Sequence, residues 1–219
     1  MFFIIALLVV LALFRVYMIL PTQGGRPKRL RRKSDVCSVA VFLGSGGHTT
    51  EALTLLSALD PKRYTHRTYI VSEGDSLSER KALQLEAQFG STKQNYDVLI
   101  IPRARQVHQA LISTPLGALQ SLLACLRYIT LRPLFNAKMP FADILILNGP
   151  GTSFVLCLAV YVSKFLGLHA PVIIYVETFA RVNSLSLSGK LIRPLADRFI
   201  LQWSTANGKD KLSPKHWLV

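Results

Sequence analysis

The first twenty residues form an apolar segment that is difficult to place on the surface of a water-soluble domain. Residues 1–14 are all apolar, Arg15 interrupts the run, and apolar residues resume up to Leu20. A helix of twenty residues spans roughly 30 Å, the thickness of the hydrocarbon core of a bilayer. Arg15 lies near the end of the run, where its long side chain can reach the headgroups. Residues 1–20 are therefore predicted to be a single transmembrane anchor.

A cleaved signal peptide is the main alternative for this segment. A signal peptide has basic residues before its apolar core and a small-x-small cleavage site after it. Here no Lys or Arg precedes Arg15, and no clear Ala-x-Ala site follows. A buried core helix is disfavoured as well, because the run has no polar face. The sequence favours an uncleaved anchor.

Residues 21–35 form a basic linker directly after the anchor, with no acidic residue before Asp35. Lys and Arg next to a membrane span remain on the cytoplasmic side, so the N-terminus is expected to be lumenal and the rest of the chain cytosolic. Contact with anionic lipid headgroups is a further expectation. Aromatic interleaving and a nucleic-acid-binding fold are both lacking, so no nucleic-acid partner is predicted. The basic residues are Arg26, Lys28, Arg29, Arg31, Arg32 and Lys33.

Residues 36–203 alternate apolar runs of strand length with longer segments of helical pattern. This alternation predicts an α/β fold, a Rossmann-like parallel sheet with helices on both faces and right-handed crossovers. Ligands of such sheets bind outside the carboxyl ends of the strands. Strands are predicted at residues 36–43, 67–71, 97–101, 142–147, 172–176 and 198–202, and helices at 49–59, 76–89, 116–131 and 154–162.

Charge and cysteine usage fit a cytosolic domain near phosphorylated groups. The formal net charge of the chain is +14, which suits an anionic leaflet or a cleft for phosphorylated ligands. Cys37, Cys125 and Cys157 fall in apolar stretches and are predicted to be reduced core thiols. No His/Cys group has the spacing of a zinc site, so neither a metal nor a cofactor is predicted.

The helical segment 116–131 allows two interpretations. Its apolar residues are Leu116, Leu119, Leu122, Leu123, Leu126 and Ile129. One interpretation is a helix packed on the sheet. The other is a helix lying in the membrane interface, where the anchor already holds the domain.

A glycine-rich loop follows the first predicted strand and precedes the first predicted helix. Glycines there allow backbone N–H groups to approach a phosphate, and the helix start adds partial positive charge. His48 could act as a base or could hydrogen-bond the loop backbone. Glu51 could orient His48 or stabilise the first helical turn. The loop reads Gly44-Ser45-Gly46-Gly47-His48-Thr49, which is neither a Rossmann fingerprint nor a P-loop, and its Thr could simply cap the helix.

Two further predicted strands are also followed by glycine-rich or polar segments. Asn148-Gly149-Pro150-Gly151-Thr152 follows the strand 142–147. Glu177 follows the strand 172–176, where a carboxylate can transfer a proton or bind a hydroxyl, and Arg181 could bind a phosphate or pair with Glu177. These segments are expected to line one crevice, although ordinary tight turns and a structural ion pair are alternatives.

Taken in order, these motifs resemble those of the membrane subunit of the eukaryotic UDP-N-acetylglucosamine transferase of asparagine-linked glycosylation. The resemblance runs from the anchor to about residue 203 and depends on the whole set rather than on any one motif. Besides the two glycine-rich loops, it includes Glu177-x-x-Ala180-Arg181-Val182, Leu185-Ser186-Leu187-Ser188-Gly189-Lys190 and Gln202-Trp203.

The resemblance implies a complex that transfers the second N-acetylglucosamine from UDP-N-acetylglucosamine to dolichyl-diphosphate-N-acetylglucosamine. The reaction would take place on the cytosolic face of the endoplasmic reticulum. Residues 36–203 would correspond to the N-terminal, acceptor-side half of a GT-B glycosyltransferase. A separate soluble subunit would supply the donor-binding half, and neither chain would work alone.

The resemblance also implies roles for individual residues. His48 and Glu177 would be catalytic. Residues 204–219 would form a tail that docks the partner through Trp217, Leu218 and Val219, although Ser204 stands directly after Trp203, where Pro is expected. Thr178 stands where Ser is expected. The acceptor and its diphosphate would be bound by Gly44, Ser45, Gly46, Gly47, Thr49, Asn148, Gly149, Gly151 and Arg181.

Two alternatives belong to other functional classes. The chain could be a membrane scaffold with vestigial sugar-binding loops, or a self-sufficient membrane-bound nucleotide-binding enzyme. Its length argues against the second alternative, because one α/β domain supplies only one wall of a GT-B cleft.

Overall fold

The structure, a computed structural model, describes residues 2–21, 35–105, 114–136 and 140–203. The basic residues of the predicted linker and the predicted docking residues Trp217, Leu218 and Val219 lie outside these ranges.

Within these ranges, six parallel strands form one sheet in the order β3-β2-β1-β4-β5-β6. Val41 at the centre of β1 is aligned with Tyr69 of β2 on one side and with Ile146 of β4 on the other. All six predicted strands are confirmed, with ends that differ by up to three residues. Their bounds are β1 Cys37–Leu43, β2 Tyr64–Ser72, β3 Tyr96–Ile101, β4 Ile144–Asn148, β5 Val172–Val176 and β6 Arg198–Ile200.

Helices connect the strands and cover both faces of the sheet, as predicted. The side chains of β1 alternate between the two layers: Ala40 and Phe42 pack in one apolar cluster, and Val39, Val41 and Leu43 pack in the other. The helices are α1 Phe2–Ile19, α2 Gly46–Ser57, α3 Ser76–Gln88, α4 Thr114–Leu126, a π-helical turn Arg127–Leu131, α5 Arg132–Phe135, α6 Thr152–Phe165 and α7 Leu187–Ile192.

Helix α1 is long and apolar enough to cross a membrane, with a mean hydropathy of 2.7 and no buried residue. Arg15 was expected to reach lipid headgroups, but in the structure its guanidinium contacts the domain. Nε donates to the carbonyl of Phe165 at 3.1 Å, and Nη2 donates to that of Lys164 at 3.0 Å. These carbonyls end α6, where a cation is favoured by the helix dipole. The C-terminal part of the predicted anchor is therefore docked against α6.

The apolar residues of the segment 116–131 point in two directions. Leu122 and Leu126 pack on the sheet, and Ile129 is buried. Leu116, Leu119 and Leu123 are exposed, as are three apolar residues further along, Leu131, Leu134 and Phe135. The packed-helix interpretation is thus confirmed for the side that carries Leu122 and Leu126. Contact of the opposite, exposed side with the membrane stays a prediction.

A buried ion pair ties β2 to α3. Arg67 donates from Nε and Nη2 to the two carboxylate oxygens of Glu86, at 2.6 and 2.7 Å, and Tyr69 donates to Oε1 at 2.5 Å. Burial raises the pKa of Glu86, but the hydrogen bonds from Arg67, Tyr69 and Ser91 outweigh burial and leave that pKa below its usual value. The Glu86 carboxylate is therefore held ionised inside the domain.

All three cysteines are buried free thiols, as predicted. Burial raises the pKa of Cys125 and of Cys157 to about 12 in each case. Such thiols form the reactive thiolate very sparingly.

Candidate functional site

The site lies where the chain reverses its direction across the sheet. Strands β1, β2 and β3 extend to one side, and β4, β5 and β6 extend to the other, so β1 and β4 are neighbours at the centre. Loops that leave such a switch point diverge and open a crevice at the carboxyl ends of the strands. The segments that follow β1, β4 and β5 begin at this edge, and they are the three segments that the sequence predicted to meet.

The first two loops pack directly against each other, and their glycines make this possible. A Cβ atom at Gly44 would lie 2.6 Å from Cδ of Pro150 and 3.1 Å from the carbonyl oxygen of Asn148. Gly149 has φ +88°, and a Cβ atom there would lie 2.7 Å from Cγ of His48. Gly44 and Gly149 therefore admit close contact between the loops, whereas they were predicted to let the backbone approach a phosphate.

A chain of hydrogen bonds joins the three strand ends. Nδ1 of His48 lies 2.8 Å from Oδ1 of Asn148, and Nδ2 of Asn148 donates to Oε2 of Glu51 at 2.8 Å. Oε1 of Glu51 accepts from the Thr178 hydroxyl at 2.8 Å and from the Phe179 backbone N–H at 3.2 Å. Asn148 is fully buried, whereas about a third of the His48 side chain is exposed, at 31%. His48 is thus partly open to solvent.

Glu51 reaches His48 through Asn148 rather than directly. Its Oε2 lies 4.0 Å from Nδ1 of His48, beyond hydrogen-bond distance. Glu51 can therefore orient His48 only indirectly, through the Asn148 amide. Asn148 was predicted to lie near the diphosphate, but both ends of its amide bond to protein.

Glu177 is buried, and three donors from the protein surround its carboxylate. Oε2 accepts from the backbone N–H and from the hydroxyl of Ser186, both at 3.0 Å, and Oε1 accepts from the backbone N–H of Thr178 at 3.1 Å. The Ser186 hydroxyl also caps α7 by accepting from the N–H of Gly189 at 2.9 Å. In this geometry Glu177 holds the loop that precedes α7, and its catalytic role stays a prediction.

The other predicted site residues differ in their access to the crevice. Gly46, Gly47, Gly151 and Arg181 are exposed, and Ser45 is half-buried with a positive φ of 66°. Thr49 is buried and lies 2.6 Å from the hydroxyl of Ser78, so it joins α2 to α3 instead of facing a ligand. Within the described ranges no ion pair joins Arg181 to Glu177, the alternative that the sequence allowed.

A cleft of about 420 Å³ opens on the other side of Glu51. One wall is α2, and the other includes Phe179, whose carbonyl accepts from the indole N–H of Trp203 at 2.8 Å. Gln202 lines the cleft, is nine-tenths buried, and has no hydrogen-bond partner for Nε2 in the part of the chain that the structure describes. The cleft is lined by Gly47, Thr50, Glu51, Thr54, Leu55, Phe179 and Gln202.

Sequence reasoning did not place Thr178, Phe179 or Gln202 at the site. Thr178 and Phe179 follow the predicted Glu177, but the signal there pointed to the carboxylate and not to donors on the next two residues. Gln202-Trp203 was noticed only as part of a family motif, with no chemical role. The helix α7 was missed as well, because its sequence contains small polar residues and lacks a clear apolar period.

Comparison with known proteins decides the family. A family model described as "Oligosaccharide biosynthesis protein Alg14 like" matches residues 39–217. The chain belongs to the Alg14 family. The resemblance drawn from the ordered motifs is thereby confirmed, and the matched region includes all three segments that converge at the crevice.

Relatives in the Alg14 family match over most of their length. One from Cryptococcus neoformans is 48% identical over 97% of this chain and 93% of its own. One from Schizosaccharomyces pombe is 43% identical over 80% of this chain and 80% of its own. One from Mus musculus is 35% identical over 92% of this chain and 89% of its own. Each of the three is named a UDP-N-acetylglucosamine transferase subunit ALG14.

Two solved glycosyltransferases overlap with the chain more weakly. A glycotransferase of kitacinnamycin aligns with a TM-score of 0.38 at 12% identity, covering 65% of this chain and 30% of its own. A UDP-glucosyltransferase from Polygonum tinctorium aligns with a TM-score of 0.41 at 18% identity, covering 67% of this chain and 30% of its own. Overlap of this extent carries no functional argument.

Proposed function

We propose that this chain is the membrane subunit of a two-chain glycosyltransferase that adds the second N-acetylglucosamine, from UDP-N-acetylglucosamine, to dolichyl-diphosphate-N-acetylglucosamine. It anchors a soluble donor-binding subunit at the endoplasmic reticulum membrane and supplies the acceptor side of the cleft. The N-terminus is lumenal and the α/β domain faces the cytosol. The names of the Alg14 relatives, UDP-N-acetylglucosamine transferase subunits, support the proposed transfer, and the acceptor and the two-chain arrangement are proposed in addition.

The observation that carries this proposal is the position of His48 at the switch point of the sheet. His48 is partly exposed, at the point where the loops after β1 and β4 meet. Helix α1 docks by Arg15 on α6, which also belongs to this domain. An acceptor whose lipid lies in the membrane can therefore present its sugar to a crevice on the domain that α1 anchors.

The reaction is a direct displacement at the anomeric carbon of the donor sugar. The acceptor hydroxyl attacks this carbon, the bond to the UDP oxygen breaks, and UDP leaves with the bonding electrons. His48 takes the hydroxyl proton as a general base. The partner subunit holds most of the UDP, and the exposed Gly46, Gly47 and Arg181 bind the acceptor diphosphate.

A reconstitution assay tests the proposal. The full chain, the soluble subunit and the two together are assayed in liposomes with UDP-N-acetylglucosamine and a polyprenyl-diphosphate-N-acetylglucosamine acceptor. Product is expected only when both chains are present. Product from this chain alone would refute the division of the enzyme into two chains, and no product from the assembled pair would refute the reaction itself.

A membrane scaffold without a catalytic part is the second candidate. It is favoured by the burial of Glu177 and Asn148 and by glycines that fit the loops to each other instead of leaving them open. The scaffold predicts that His48→Gln leaves the rate of the assembled pair unchanged, whereas the acceptor-side function predicts a large loss.

A further inference from the structure

The chain of hydrogen bonds from Phe179 to His48 determines where the imidazole carries its proton. A backbone N–H can only donate, and a carboxylate can only accept. At one end Phe179 N–H donates to Oε1 of Glu51, and at the other end Nδ1 of His48 meets the Asn148 amide. The direction of every bond between these ends follows from those two constraints.

The amide of Asn148 has one orientation that satisfies its neighbours. Because Oε2 of Glu51 accepts, the side of Asn148 that faces it at 2.8 Å is the NH₂ group. The carbonyl oxygen Oδ1 then faces Nδ1 of His48 at 2.8 Å. An oxygen acceptor at this distance requires a proton on Nδ1.

We propose that Asn148 and Glu51 are positioning residues that hold neutral His48 in the Nδ1–H tautomer, with the lone pair on Nε2. The inference rests on the proposed function, in which His48 is the base. Nε2 has no hydrogen-bond partner among the described residues, and the ring is partly exposed. When the acceptor hydroxyl attacks, its proton moves to Nε2, and the bond from Nδ1–H to Asn148 is kept in the resulting imidazolium.

A single amide in place of the carboxylate should reverse this tautomer. In Glu51→Gln the obligate donor Phe179 N–H still needs an oxygen, so the new NH₂ group faces Asn148. Two NH₂ groups cannot face each other, so Asn148 turns its oxygen to residue 51 and its NH₂ group to His48. Nδ1 must then accept, which moves the proton to Nε2 and removes the lone pair that takes the proton.

A second change should restore the tautomer. In the double variant Glu51→Gln/Asn148→Asp the carboxylate stands at position 148 and accepts from residue 51 and from Nδ1–H of His48. The number of charges and the shape of the chain are unchanged. Recovery in the double variant separates proton placement from a loss of packing, because both variants alter the same buried contacts.

Imidazole ¹⁵N chemical shifts of the full chain in detergent report the tautomer. Spectra are recorded near pH 8.5, about two units above the ordinary pKa of histidine. The His48 signals are assigned by their loss in His48→Gln. We expect Nδ1–H in the wild type and in the double variant, and Nε2–H in Glu51→Gln. An Nε2–H tautomer in the wild type, or an unchanged Nδ1–H tautomer in Glu51→Gln, would overturn the inference.

Kinetics of the assembled pair provide the second measurement. General-base catalysis contributes about 10²–10⁴-fold, so kcat of Glu51→Gln should fall by roughly 100-fold or more, with little change in KM for the acceptor and substantial recovery in the double variant. Asp97→Asn, an acid-to-amide change at an exposed residue of the edge strand β3, is the control and should keep the wild-type kcat. Wild-type kcat in Glu51→Gln would overturn the inference, whereas wild-type kcat in His48→Gln would overturn the base role itself.

Discussion

Gly149 lies under the His48 ring, and Gly149→Ala tests how tightly that ring must be held. Its φ of +88° is unfavourable for alanine, at about 1–2 kcal/mol. The added Cβ would also lie 2.7 Å from Cγ, 2.9 Å from Cδ2 and 2.9 Å from Nδ1 of His48. These are atoms close to the base of the side chain, so the ring cannot avoid the methyl group by rotating its tip.

The size of the expected displacement follows from these distances. Cγ must retreat by roughly 0.8 Å to reach an ordinary carbon–carbon separation of about 3.5 Å from the 2.7 Å position. A movement of this size lengthens the 2.8 Å contact from Nδ1 to Asn148 beyond a good hydrogen bond. Because a misplacement of about 1 Å can cost about 100-fold in rate, kcat of the assembled pair should fall between about 10- and 100-fold.

Gly90→Ala is the matched control for this experiment. Gly90 also has a positive φ, +65°, but a Cβ atom there meets nothing within 4 Å. Backbone strain should therefore lower the unfolding free energy of both variants by about 1–2 kcal/mol. Only Gly149→Ala should also lower the rate of sugar transfer. Thermal unfolding and transfer rates are measured for both. Equal rates in the two variants would refute the claim that the ring position limits catalysis.

Four further predictions concern the fold and the membrane. Glu86→Ala leaves Arg67 buried without its partner and should lower the unfolding free energy by about 3–5 kcal/mol in denaturant titrations; a loss below 1 kcal/mol would contradict the buried pair. The pKa of Glu86 is lower in the folded state than in the unfolded state. The Glu86 carboxylate therefore stabilises the fold fully above its unfolded pKa, and this stabilisation is lost as the pH falls through the folded pKa. Glu86→Gln should accordingly make the free energy of unfolding less sensitive to acid. Cys157 should resist alkylation in the native chain and react after unfolding, and rapid native labelling would show that the thiol is accessible. If the exposed side of α4 enters the membrane interface, Leu123→Glu should weaken that contact. In anionic liposomes the helix of the variant should then be less protected from hydrogen exchange than that of the wild type, whereas in detergent the two should be equally protected. Equal protection in liposomes would assign this side to water.

The sheet could be predicted from sequence because its central strands are buried on both faces. Runs such as Val172–Val176 are apolar at nearly every position and are bounded by turn residues, so they are visible without tertiary information. Helix α7 was not visible, because its short sequence has no clear apolar period and its position is fixed by contacts with Glu177 and Ser186. Gly189 packs against Oε2 of Glu177, and Ser186 caps the helix while it donates to the same carboxylate.

The meeting of the three strand ends could be predicted, but the contacts among them could not. Strand ends and glycines indicated that the segments of His48, Asn148 and Glu177 converge at one edge of the sheet. The sequence does not show that Asn148 bridges His48 and Glu51, because that contact joins residues about a hundred positions apart. Nor does it show that the Gly149 backbone supports the imidazole ring, a contact that depends on the loop conformation.

The rate of the assembled pair with His48→Gln is the most direct test of the account. Transfer to the polyprenyl-diphosphate acceptor is measured per mole of pair, with the amount of bound soluble subunit determined in the same liposomes. We expect unchanged assembly and a loss of about 100-fold or more in kcat. Full activity of a fully assembled His48→Gln pair would contradict the assignment of His48 as the base and leave this chain the role of a membrane scaffold.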